Sequence, residues 1–231
     1  MEENDPKMQI VNNLTIKSII KQQVFDNTLD TLNIIKDTLR ELAADFNIKL
    51  KQVDKRVSFE YKDRGKFEVQ IKVASDIIIF SMHSNIFFFN RDHPIWNTAY
   101  AKENPQGIYA GIINVYNFLS DSFRYNRQDD LGYLIGRIFV NYENLFMVEG
   151  KRHLGYSYKN FEKGTVSKEK ITAILQTIIL YAIEFDLLVP PYDNVKIATV
   201  QQMNHKIETS RLQTGKRLGF TFNSDDVSAE S

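Results

Sequence analysis

The chain is predicted to adopt an α+β fold, an antiparallel β-meander of four to six strands covered by helices, with a long N-terminal helix. Three observations predict it. Residues 12–50 contain no Gly or Pro and place apolar side chains at helical spacing; residues 57–61 and 67–73 alternate apolar and polar and lead into the more continuously apolar 77–82 and 86–89; residues 167–188 form a second apolar periodic run that ends at Pro190 and Pro191.

Taken in order, residues 1–9 are polar, carry no apolar stretch behind a basic start, and are expected to be disordered and not a secretory leader. Residues 10–50 form a helical arm. Phe25, Leu32, Leu39 and Phe46 recur every seven residues, with Thr28, Ile35 and Leu42 in the alternate register, the pattern of an a/d seam. Such a stripe either packs on the chain's own sheet or lies partly off the body and binds a partner, a second copy included, through Phe25, Leu32, Ile35 and Leu39.

Residues 51–222 make the α+β domain. Residues 57–61 and 67–73 alternate on either side of a turn that contains Gly65, as a hairpin does. Residues 77–82 and 86–89 are more continuously apolar and are expected to be buried strands joined at His83, Ser84 and Asn85. Residues 107–124 carry Ile108, Ile112, Val115, Phe118 and Leu119 at spacings that predict a helix crossing the sheet. Residues 133–140 and 145–148 predict a second hairpin about Asn141, Tyr142, Glu143 and Asn144. The helix over 167–188 has Ser167 as its N-cap candidate, and a polar helix is expected over 199–213. Residues 223–231 read as a disordered acidic tail.

Composition narrows the function classes. Hydrophobic residues are 43% of the chain and aromatics 12%, enough apolar surface to offset chain entropy and exclude general disorder. The 29 basic and 29 acidic residues cancel, so no whole-molecule field draws the protein to polyanions, and nucleic acid is an unlikely partner. Cysteine is absent, which removes disulfides, thiol nucleophiles and cysteine-ligated metal centres and fits a cytoplasmic protein. The apolar run 171–183 is shorter than the ~20 residues a membrane span needs, so no membrane association is expected.

Candidate chemistry concentrates after the fourth predicted strand. Arg91, Asp92, His93 and Trp96 cluster there: an Asp can fix an imidazole tautomer and an Arg can clamp an anion. Their bland counterpart is an ordered turn set by Pro94, with Asp92 capping backbone amides. Joined by Arg137 and Arg152, these residues would line a small-ligand pocket. A second cluster, Lys151, Arg152, Tyr156, Tyr158, Lys159 and Lys163, interleaves basic and aromatic side chains as surfaces that bind single strands do, though a solvated segment explains the same residues.

Other motifs fail. His83, His93, His153 and His205 include no pair at the i, i+4 spacing of a zinc helix, so no metal and no cofactor are expected. Thr214, Gly215 and Lys216 end like a P-loop but lack its earlier glycine and its hydroxyl residue. Catalysis therefore has little foundation. The expected function is a non-catalytic protein-protein interaction or regulatory protein, self-associating or partner-binding through the N-terminal helix, with a homodimer as one form. The alternative is a small-ligand binding or hydrolytic domain with its pocket near Arg91, His93 and Trp96, and after it an RNA or single-strand DNA accessory protein.

Overall fold

A computed structural model describes residues 5–50, 57–127, 130–150, 158–161, 164–184, 187–188 and 220–221. The expected helix over 199–213 and the acidic tail lie outside these residues.

Helix α1 spans Pro6–Leu50, 45 residues or about 68 Å at 1.5 Å per residue. It starts earlier than residue 10 because Asp5 caps it. The Asp5 carboxylate accepts the Lys7 amide at 3.1 Å, and Pro6, which lacks an N–H to satisfy, opens the first turn.

Strands β1 (Phe59–Asp63), β2 (Glu68–Val73) and β3 (Asp76–Met82) form the expected meander. The two-residue turn between β2 and β3 holds Ala74 at φ 53°. The fourth predicted strand shrinks to β4 (Phe87–Phe88), which pairs with Ala110 and Tyr109. A short helix α2 (Ala99–Glu103) follows a 3-10 turn at Pro94–Asn97.

Residues 107–124 correct the sequence reading. The segment is mostly strand β5 (Tyr109–Leu119), the central and longest strand, followed by a single turn of helix, α3 (Ser120–Arg124). Gly111, Ile113, Val115 and Asn117 are buried on one face while Ile112, Asn114, Tyr116 and Phe118 share the other. Both faces carry apolar residues, so a period of two also produced apolar hits three and four apart, which mimicked a helix.

Strands β6 (Tyr133–Asn141) and β7 (Phe146–Gly150) are the expected second hairpin. Helix α4 spans Lys168–Glu184, and Ser167 is its N-cap, accepting the Lys170 amide at 3.4 Å. Two-residue strands β8 (Leu187–Leu188) and β9 (Phe220–Thr221) pair in parallel. The main sheet is wholly antiparallel in the order β1-β2-β3-β5-β6-β7, with β4 beside the start of β5.

α1 lies across the sheet from β1 to β6 with α4 beside it, so both long helices cover the same face. The core fills the space between. Leu32, Ile35 and Leu39 of α1 meet Val69, Ile71, Phe80, Ile113 and Ile138 of the sheet, with Leu175 and Ile178 of α4 closing the side. Each fully buried aliphatic side chain contributes about 1.5–3 kcal/mol by leaving water. Thr28, Thr31 and Thr38 are buried on the same seam. Each donates its hydroxyl to the carbonyl four residues earlier, Val24, Asn27 and Ile34, at 2.6, 2.8 and 2.7 Å, so none is left unsatisfied.

This placement corrects the reading of the helical stripe as a partner surface. Leu32, Ile35 and Leu39 are wholly buried and Phe25 packs edge-on against Phe67, so the stripe is the chain's own core. Before Val24, by contrast, no described side chain of α1 is buried, and Met8, Ile10, Val11, Leu14 and Ile19 are all more than half exposed. Among the described residues no helix is long and apolar enough to cross a membrane.

Candidate functional site

Among the described residues no long helix lies over the second face of the sheet, and its side chains form rows across the strands. One row is polar throughout: Glu68 of β2 pairs with Ser81 of β3, Ser81 with Asn114 of β5, Asn114 with Arg137 of β6, and Arg137 with Glu149 of β7. Hydrogen bonds close both ends. Ser81 Oγ donates to Glu68 at 3.1 Å, and Arg137 Nη1 donates to Glu149 Oε2 at 2.9 Å. Asn114, in the middle, makes no side-chain hydrogen bond among the described residues.

Towards the start of β5 the face is covered. Ile95, Ala101 and Ile108, carried by the segment after β4, pack with Phe161 against Ala110, Phe139 and Met147 as a second, smaller apolar cluster. At the other end Phe118 meets Phe123 of α3, on whose ring the Arg64 guanidinium sits at 5.0 Å. Between these covers the polar row lies open.

A cleft of about 1010 Å3 follows from that arrangement. Its floor is Ile112, Phe139 and Met147, its wall is Phe87 and Phe88 of β4 with Phe89 just after it, and its polar groups come from His83, Asn90, His93, Asn114, Arg137, Glu149 and Lys159. Smaller hollows continue it in both directions, one of about 450 Å3 sharing His83 and Asn114, another of about 250 Å3 sharing Arg137 and Glu149.

The two histidines are held alike. His83 Nδ1 accepts the amide of Asn85 at 3.0 Å and His93 Nδ1 accepts the amide of Ile95 at 3.2 Å, each the backbone N–H two residues ahead. An Nδ1 that accepts leaves the proton of the neutral ring on Nε2. Each ring also leans on a phenylalanine of the cleft wall, His83 on Phe87 at 4.8 Å and His93 on Phe89 at 4.7 Å. Two contacts per imidazole fix both its tautomer and its plane.

The sequence-derived site residues separate. His93 and Arg137 share the cleft. Arg91 and Trp96 do not line it: the Arg91 guanidinium lies 5.0 Å from the Trp96 ring, and Trp96 Nε1 donates to the Asn90 carbonyl at 3.0 Å, so this pair closes the turn behind His93. Asp92 is exposed and does not orient His93, whose Nδ1 is taken by Ile95. Arg152 lies outside the described residues, as do Lys151, Tyr156 and Lys163 of the basic and aromatic cluster. Tyr158, of that cluster, packs its ring on Phe146 at 4.7 Å on the core side, while Lys159 lines the cleft.

Reading the sequence alone missed His83 as anything but a turn residue, and missed Asn114, Phe139, Met147 and Glu149. The alternation of 110–118 together with that of 133–140 was the available signal, since it puts Asn114 and Arg137 on one face. Among the described residues no three His, Asp or Glu side chains gather as a metal site. No family model, no curated protein and no solved structure matches this chain.

Proposed function

We propose that this chain is a non-catalytic binding protein whose ligand sits in the cleft on the uncovered face of the sheet. The observation that carries this reading is the convergence of two tautomer-fixed imidazoles, Arg137 and the Asn114 amide, unpaired among the described residues, around a largely apolar hollow. Its volume stands at the upper end of the roughly 300–1,000 Å3 of ligand sites, and a few placed polar groups over an apolar floor is what such sites contain. Binding is favoured over hydrolysis because backbone amides, not carboxylates, orient both rings, so neither has the partner that would stabilise an imidazolium during general-base catalysis.

A thermal-shift screen of small amphiphilic compounds tests this against the variant Asn114→Trp, which fills the middle of the cleft from an outward-facing strand position. A ligand that binds the folded state stabilises it by RT ln(1 + [L]/Kd), about 2.7 kcal/mol at a hundred times Kd. Compounds that raise the midpoint of the wild type and leave the variant unmoved support the reading. Compounds that stabilise both alike, or none that stabilise the wild type, refute it.

A second reading, self-association through the start of α1, has its own observation. Ile10, Val11 and Leu14 precede Thr28, Leu29 and Leu32 by about 18 residues, five full turns, so the buried seam continues at the same azimuth past the edge of the sheet. Exposed apolar groups in phase with a core are an attachment surface in search of a neighbour. Light scattering over a concentration series tests it, and a monomer at every concentration would reject it.

A further inference from the structure

We propose that the cleft takes an uncharged, flat heterocycle with an amide-like edge, a hydrogen-bond donor beside an acceptor, laid with that edge on Asn114 and its ring over the apolar floor. This rests on the binding-protein reading and deepens it by naming the ligand's chemistry.

Strand register sets two parallel rows in the cleft. Ile112 of β5 stands opposite Phe139 of β6, and Phe139 opposite Met147 of β7, so the floor is one apolar row across three strands. Two residues along each strand, Asn114, Arg137 and Glu149 form the next row on the same face. Successive residues on one face lie about 7 Å apart along a strand, so a ligand of ring size that covers the floor reaches the polar row with one edge. The wall supplies aromatic surface for a flat guest: Phe89 tilts against Phe139 at 5.2 Å and Phe88 against Tyr109 at 4.8 Å.

The charge of the polar row is spent internally. Arg137 donates to Glu149 at 2.9 Å, and Lys159 is engaged as well. A carboxylate guest would compete with Glu149 for Arg137 and lie beside a like charge, and an amine would meet the converse. An uncharged guest leaves the ion pair standing.

What faces a ligand is neutral and two-sided. Asn114 makes no side-chain hydrogen bond among the described residues, and its amide carries two N–H donors beside a carbonyl acceptor. The complement of such an amide is another donor and acceptor in one plane, the arrangement by which Asn holds a base edge with two bonds. A guest with acceptors alone would leave the Asn114 carbonyl unmet, and one with donors alone would leave its N–H groups unmet. His83 and His93 add one donor each, the Nε2–H that remains when Nδ1 is occupied, for further acceptors on the ring. Purine bases and fused-ring lactams belong to this class.

Isothermal calorimetry with three fused bicyclic probes reads the selection: isoquinolin-1-one, with N–H beside C=O; 2-methylisoquinolin-1-one, which keeps only the acceptor; and 1-naphthoate, an anion of similar outline. The lactam should bind first and its methylated form about tenfold more weakly, the size of one lost hydrogen bond whose partner is stranded, with the naphthoate no tighter than the methylated form. In Asn114→Leu the lactam should lose about tenfold, and its advantage over the methylated form should shrink below about twofold. Thermal melts establish that the variant folds, and the wild-type series stands as a test without it. Inosine against inosine 5′-monophosphate separates a free nucleoside from a phosphorylated source, and the nucleoside should bind at least as tightly.

Equal affinity for the lactam and its methylated form, or tighter binding of the naphthoate or the monophosphate, would overturn recognition of an uncharged edge. Lactam selectivity that survives Asn114→Leu would overturn it as well. If every probe fails at millimolar concentration while a compound from the thermal-shift screen binds, the ligand chemistry falls alone; if nothing binds, the binding reading falls with it.

Discussion

Thr28 of α1 occupies the space that a side chain on Gly111 of β5 would need: a Cβ at Gly111 would fall 2.1 Å from Thr28 Oγ1 and 2.9 Å from its Cβ. Helix and sheet touch there with nothing between them. Thr28 cannot swing aside freely, since its hydroxyl is already bonded to the Val24 carbonyl and the residue is wholly buried.

Gly111→Ala should therefore destabilise the fold by about 1–3 kcal/mol, the usual cost of an added methyl in a filled core. Thr28→Ala removes Oγ1, the nearest obstructing atom, and leaves only the Cβ at 2.9 Å, so the double variant should be more stable than the sum of the two single losses predicts. Urea denaturation of the four proteins in the cycle measures that coupling. Strict additivity would mean that helix and sheet separate easily here.

A polar knot beside Thr28 joins Asn27 of α1 and the segment after β4 to the β6–β7 turn. The Tyr100 hydroxyl donates to Glu143 and accepts from Asn141 Nδ2 at 2.7 Å; the same Asn141 amide donates to the Gly107 carbonyl at 2.9 Å, and Asn27 of α1 donates to the carbonyls of Asn141 and Tyr142. Burial, and after it the bond to the Glu143 carboxylate, push the Tyr100 phenol well above its ordinary value. The folded state thus holds this proton where the unfolded chain loses it, so stability is retained below pH ~10 and falls as the pH rises beyond it. Tyr100→Phe should start less stable and lose this alkaline slope. Denaturation midpoints at pH 8 and pH 11, wild type against variant, cancel the titration of the other tyrosines.

Much of the fold was legible because its signals were local. The seam from Val24 to Leu42 had one period and one buried face, and the β1–β2 hairpin had strict alternation about Gly65. β5 was not legible in the same way. Both of its faces bear apolar residues, the inner face packing on α1 and the outer forming the cleft floor, so its pattern satisfied two periods at once. The cleft inherited that ambiguity. His93 and Arg137 stood out by type, yet Asn114 and Glu149 become neighbours of Arg137 only through strand register, which no local pattern encodes. Whether the seam of α1 faces a sheet or a partner was likewise undecidable from spacing, since both bury the same stripe.

Lys36, on the core side of α1, reaches the turn of the first hairpin and is nearly buried there. Its ammonium donates to Asp63 Oδ1 at 3.0 Å and to the Gly65 carbonyl at 2.6 Å. The Gly65 amide, and after it Lys36, hold the Asp63 carboxyl below its ordinary value. A carboxylate with a lowered folded pKa contributes stability that is present above its unfolded value, roughly 4, and is lost as the pH falls through the folded one. Asp63→Asn should narrow the difference in stability between pH 7 and pH 3, and Lys36→Met, which keeps the stem but removes the charge, should narrow it too. An acid profile unchanged in both variants would place the acid sensitivity elsewhere.

The start of α1 should be dispensable for folding. Residues 6–23 extend about 27 Å along the helix axis, and their described contact with the body is slight, the Lys21 ammonium over the Tyr109 ring at 5.7 Å. The buried seam begins only at Val24. Deleting residues 1–19 should accordingly leave the unfolding free energy in urea within about 0.5 kcal/mol of the full chain, the range of surface changes that touch no core. Ile35→Ala, in the middle of the seam, should cost about 2–5 kcal/mol by contrast. If the exposed residues Ile10, Val11 and Leu14 join two copies, the deletion should also abolish any concentration dependence of the midpoint, because a subunit partner stabilises by mass action. A truncated chain that unfolds far earlier, at every concentration, would show that the overhang belongs to the body after all.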